Sequence, residues 1–140
     1  MDPSKYKVEF SEFSDRHHAK DFAKKYRSNW AKTRVDITDI CSRIDRMLAA
    51  GRQQVDLIKA LGGHKLIKLD FAVEGTHESP RKSGNRAIIW VDETERKVTV
   101  LMLYGKGHVK GKQETAWWQK QIRDNCKGID DIFWPPGGGR

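Results

Sequence analysis

The side chains best able to do chemistry in this chain gather at the two ends of one strand-like hairpin. The stretch Ser83 to His108, SGNRAIIWVDETERKVTVLMLYGKGH, places Arg86 near its start and ends in Gly105-Lys106-Gly107-His108. A guanidinium grips a phosphate or carboxylate through two parallel N–H groups. An imidazole changes charge near neutral pH and so can pass a proton. A cation and an imidazole on a glycine-flexible strand exit are an unusual investment without a use. Lys65 and Lys68 lie on the preceding strand-like run, Lys110 and Lys112 follow His108, and Trp117 and Trp118 come next. Lysines of this kind suit phosphate contacts, and a tryptophan left exposed can stack on a base. The same residues admit plainer uses: Arg86 can pair with Asp92 or Glu114, and Lys68 can reach solvent along its stem. No HxxxH, CxxC or comparable ligand spacing occurs, and His17 and His18 are adjacent rather than on one helical face, so no metal or other cofactor is expected.

These residues need a sheet to hold them. Asn85 to Val91 and Lys97 to Tyr104 read as two strands about the charged turn Asp92 to Arg96. Neither face of the hairpin is fully polar, which places it inside a sheet. His64 to Val73 reads as a third strand, with Leu66, Lys68 and Asp70 on one face and Lys65, Ile67, Leu69 and Phe71 on the other. Tyr6 to Phe10 gives a short N-terminal strand. Ala19, Phe22, Ala23 and Tyr26 form a helical stripe, and Ile37, Ile40, Cys41, Ile44, Met47 and Leu48 form another. The polar break Arg27-Ser28-Asn29 makes these an antiparallel helical hairpin. Val55 to Leu61 reads as an apolar connector of one helical turn, and Glu74 to Gly84 as a long loop. Glu114 to Asn125 is a terminal helix with Trp118, Ile122 and Cys126 at i, i+4 and i+8. The expected fold is α+β: an N-terminal strand and helical hairpin on one face of a curled, mainly antiparallel sheet of about four strands, then a C-terminal helix. The opposite face is expected to stay open and concave. Residues 1–133 form one domain on this reading, and 134–140 an unstructured tail.

Composition narrows the partners. With 27 Lys+Arg against 19 Asp+Glu, the formal charge is +8. Residues 1–63 hold 13 basic and 9 acidic side chains and residues 64–140 hold 14 and 10, so any basic patch is made by folding. An acidic partner such as nucleic acid fits this balance. Two cysteines make no disulfide framework, and Cys41 lies on an apolar stripe. No signal-peptide core or membrane-spanning run is read, so a cytoplasmic protein without membrane association is expected.

The layout and several local words resemble the RelE/ParE superfamily of type II toxin–antitoxin toxins. LIKLDF (Leu66 to Phe71) is similar to the family strand that carries a lysine or arginine. SGNRAIIWVDETERKVTVL is similar to its glycine-x-arginine strand, acidic turn and valine-rich strand, and LYGKGH to the segment carrying a lysine, arginine or histidine. The resemblance covers roughly residues 5 to 125. Its RelE branch implies an endoribonuclease that cuts messenger RNA on the ribosome, in contact with 16S rRNA, by metal-free attack of a ribose 2′-OH on the adjacent phosphate. By resemblance Lys68, Arg86 and His108 are the catalytic residues, with Lys65, Lys106, Lys110, Lys112 and Trp117 as RNA contacts. The chain departs from the family in having no aromatic residue from Val109 to Glu114, a role left to Tyr104, Trp117 or Trp118. The ParE branch implies instead a DNA gyrase inhibitor without nuclease activity, and a non-catalytic RNA- or antitoxin-binding relative is the third possibility. All three imply a cognate antitoxin protein as partner.

Overall fold

The computed structural model describes residues 5–109, 111 and 113–135. The expected contacts of Lys110 and Lys112, and tail residues 136–140, lie outside them. The chain runs through β1 (Lys7–Phe10), a π-helical stretch (Ser14–Ala19), α1 (Lys20–Ser42), α2 (Ile44–Ala49), β2 (Val55–Leu61), β3 (His64–Asp70) and α3 (Pro80–Ser83). It continues through β4 (Arg86–Asp92), β5 (Lys97–Tyr104), α4 (Lys106–Val109), α5 (Glu114–Asn125) and α6 (Ile129–Phe133). The five strands form one sheet in the order β1-β5-β4-β3-β2. β1 pairs parallel to β5, and every other neighbour pair is antiparallel.

The helical layer folds back on itself within α1. Arg27 has φ 35° and ψ −109°, outside the helical region. Beyond it, Arg34 donates to the Asp15 carboxylate at 2.8 Å although 19 residues separate them. In a straight helix those backbones would stand ~28 Å apart. The two limbs therefore lie side by side, closed by Arg34–Asp15 and by Phe22 stacked on Trp30 at 5.0 Å between ring centres. The polar break at Arg27 is the reversal, made without a separate loop.

The connector Val55–Leu61 is a strand, not a helical turn. Its composition is helix-tolerant, but Gly62 and Gly63 both take positive φ, 52° and 85°. A two-residue link with that geometry joins antiparallel strands with the right twist, so it forces β2 and β3 into a hairpin. Turn chemistry outweighs local propensity here, and the sheet gains a fifth strand.

Both faces of the sheet are covered, which corrects the expectation of an open face. On one side Ile67, Leu69, Ala87, Ile89, Val98 and Val100 pack with Phe22, Trp30, Ile37 and Cys41 of the helical layer. On the other, Leu66, Ile88, Met102 and Tyr104 pack with Trp118, Ile122, Ile129 and Phe133 from α5 and α6. Each fully buried Val, Leu, Ile, Met or Phe here contributes about 1.5–3 kcal/mol, and double coverage explains why β4 and β5 read as near-continuous apolar runs. Trp134 closes this second layer between Lys59 and Arg123, whose cations sit 4.6 and 4.7 Å from its ring. The chain is therefore anchored at Trp134, one residue into the expected tail. Among the described residues, no helix is long and apolar enough to cross a membrane.

Candidate functional site at the strand ends

Strand register assembles a polar row where the second layer stops. Asp70 on β3 is paired with Arg86 on β4, and Arg86 with Tyr104 on β5. Lys68 lies two residues before Asp70, so it shares that face. Glu114, the first residue of α5, reaches over the end of the row. The Tyr104 hydroxyl donates to Glu114 Oε2 at 2.8 Å, and Lys68 Nζ lies 3.9 Å from the same oxygen. Trp117, one turn along α5, meets the Tyr104 ring edge to face at 5.1 Å. Beside this row Lys68, Asp70, Arg81 and Arg86 line an open groove of about 420 Å³, together with Gln53 and Asp56.

Arg86 is largely committed to the protein itself. Its Nε sits 3.0 Å from Asp70 Oδ1, with the two side chains only 16% and 12% exposed. One terminal nitrogen donates to the Asn85 and Pro80 carbonyls, at 3.0 and 3.4 Å, and the other to the Arg81 carbonyl at 3.3 Å. A guanidinium has five N–H donors; three are hydrogen-bonded to these carbonyls and Nε faces Asp70, which leaves one for a ligand. The bidentate phosphate grip implied by the resemblance is not open to it in this arrangement. Arg86 neutralises Asp70 and ties down α3; Arg81 is exposed, lines the same groove and donates to Gln53 at 3.3 Å.

Burial sets the proton affinities in this row. Asp70 is raised above the ordinary carboxylate value because burial outweighs the attraction of Arg86 and Lys68. Tyr104 is pushed far up, first by burial and then by its hydrogen bond to Glu114. It is therefore a fixed donor that orients the Glu114 carboxylate, not a proton shuttle.

His108 lies elsewhere. The short helix α4 turns it back onto the helical layer, where its ring meets Phe22 and His18 at 6.1 and 6.5 Å. Its Nδ1 accepts from the Gly105 N–H at 2.9 Å, and its Nε2 lies 3.7 Å from Asp21. It lines a separate cavity with Asp21, Lys25 and Lys106 and has no place in the Lys68–Arg86 groove. Lys106 packs along Gly84 and donates to the Lys82 carbonyl at 3.2 Å. Lys65 points to the helical side at the far end of β3, paired with Glu93 at 3.3 Å. Of the expected site residues, then, Lys68, Arg86 and Trp117 come together, while His108, Lys106 and Lys65 stand apart. The sequence reading missed Asp70, Glu114 and Arg81 as members. Asp70 was recoverable from register, since pairing Ile67 with Ile89 places it opposite Arg86.

Among the described residues, no group of three or more His, Cys, Asp or Glu side chains is placed to hold a metal ion. No family model, curated protein or solved structure matches the chain.

Proposed function

We propose that the chain is a RelE-like toxin: a metal-free endoribonuclease that cuts messenger RNA on the ribosome and is held in check by a cognate antitoxin. What supports this is the convergence of a carboxylate, an ammonium and a fixed phenol on one atom, Glu114 Oε2, beside an open groove with two arginines. Internal transesterification needs a base for the 2′-OH, positive charge for the phosphorane and an acid for the leaving 5′-oxygen. On this reading Glu114 takes the hydroxyl proton, oriented by Tyr104. Lys68 and Arg81 hold the phosphate, and Lys68 gives its proton to the leaving 5′-oxygen. Arg86 positions the groove by pairing with Asp70 and holding α3. Trp117 offers a partly exposed ring beside Tyr104 on which a base can stack.

The test is induced expression of the full chain with mapping of RNA 5′ ends. Growth arrest and ribosome-dependent cleavage are expected, lost in Lys68→Ala and Glu114→Gln and retained in His108→Gln. Arrest that persists in both groove variants, or vanishes only in His108→Gln, refutes this site. The commitment of Arg86 to Asp70 favours a second reading, a fold that keeps the toxin layout but binds without cutting. Gyrase inhibition or plain antitoxin binding without new RNA ends would select it.

A further inference from the structure

A third cavity has an electrical character opposite to the chain's net charge. The segment after β3 lies against the second limb of α1 and encloses about 630 Å³. Its floor is apolar, with Ile37, Phe71 and Val73 almost fully buried and Ile40, Ala72 and Pro80 beside them. Its rim carries Asp36, Asp39, Glu74 and Glu78 with His77, and among the described residues no lysine or arginine lines it, in a chain whose net charge is +8. The rim is held in place: the Glu74 N–H donates to Thr33 Oγ1 at 2.9 Å, and the Thr33 hydroxyl donates to the Asn29 carbonyl at 2.8 Å. Asp39 is answered by Arg43. Glu74 lies beside Asp36; a hydrogen bond through a shared proton, and then their mutual repulsion, raise the Glu74 carboxyl above its ordinary value, with Lys32 partly offsetting them, so an incoming cation would relieve the crowding.

We propose that this cavity docks a partner polypeptide through a basic side chain flanked by apolar residues. The charge complementarity is direct, since the rim offers a cation two adjacent carboxylates. The apolar floor selects among cations. A small inorganic ion leaves it unused, whereas the aliphatic stem of an arginine or lysine and a neighbouring leucine fill it. Nucleic acid is excluded by the sign of the rim. The inference is independent of whether the chain cuts RNA, because the cavity shares no residue with the Lys68 groove.

The experiment titrates the full chain with a capped peptide of alternating leucine and arginine, following the methyl resonances of Ile37 and Val73. Parallel titrations use the same peptide with glutamate for arginine, free arginine and calcium chloride. Saturable shifts at both residues are expected with the arginine peptide alone, weakening as salt rises. Asp36→Asn combined with Glu74→Gln should weaken binding roughly tenfold or more. Glu78→Lys, on the exposed loop, tests the same point where the double variant disturbs the fold. The proposal is overturned if the arginine peptide gives no shift at ~1 mM. It also fails if the glutamate peptide, free arginine or calcium binds as well, or if correctly folded variants bind unchanged.

Discussion

Replacing Arg86 with methionine tests whether the polar row is a buried ion pair or a solvated one. The substitution keeps most of the stem and removes the charge. It strips Asp70, 9% exposed, of its closest cation and frees the carbonyls of Pro80, Arg81 and Asn85. Removing one partner of a buried pair costs about 3–5 kcal/mol, a large share of the ~5–15 kcal/mol that holds a domain of this size. The pH dependence carries a definite sign. Asp70 in the folded protein binds its proton more tightly than in the unfolded chain, so its unfavourable contribution grows as pH rises from the unfolded carboxyl's value to its raised folded value and is constant above that. Losing Arg86 raises that value further. The deficit of Arg86→Met should thus be greatest at neutral pH and shrink toward about pH 4, where the unfolded carboxyl also protonates. Urea unfolding at both ends of that window measures it. Asp70→Asn added to Arg86→Met should recover about 2 kcal/mol at neutral pH, because the stranded charge is gone. A cost below ~1 kcal/mol, equal deficits at both pH values or no recovery in the double variant would refute the buried-pair account.

Four further outcomes follow from the same geometry. Tyr104→Phe should cost about 0.5–1.5 kcal/mol by chemical denaturation, because Glu114 loses its orienting donor; on the nuclease reading proposed above it should also slow RNA cleavage by a folded variant. Trp118→Ala should cost about 3–5 kcal/mol in the same assay, since the ring is fully buried between β-sheet and α6. His18 is held neutral, its pKa lowered to about 4 chiefly by burial and secondarily by His108 and His17. The unfolded chain takes up that proton first on acidification, so stability should fall as pH drops from about 6.5 toward 4, by on the order of 2–3 kcal/mol, and His18→Phe should flatten that limb. Gly84→Ala should destabilise by about 1 kcal/mol, because φ is +75° and the new methyl meets the Lys106 stem.

The parts of the fold legible in the sequence were those fixed by period. Alternation along His64–Val73 and the two strands of the main hairpin placed Lys68 and Asp70 correctly against Ile67 and Leu69, and the spacing of Trp118 and Ile122 placed α5. Two features escaped for identifiable reasons. VDLIKAL carries no clean period, and its strand identity is imposed by the two glycines after it and by pairing with β3. His108 stands beyond the end of β5, where strand parity no longer assigns a face. The four residues of α4 carry it around to the helices, away from Arg86. The site suffered the same limit: Glu114 joins Lys68 through tertiary placement of α5, which leaves no trace in local spacing.

The parallel pairing of β1 with β5 also governs when the molecule can assemble. Lys7 is registered with Lys97 and Phe10 with Val100, 90 residues apart. As the chain leaves the ribosome, the N-terminal strand has no partner until residues 97–104 have emerged. The helical hairpin can form early, but the surface it must cover does not exist until the hairpins β2–β3 and β4–β5 have closed. Long-range closure of this kind slows folding. Lys68, Arg86 and Glu114 therefore meet only after synthesis has passed residue 114. Until then the groove has no frame, because its residues sit on β3, β4 and α5 and nothing local holds them together.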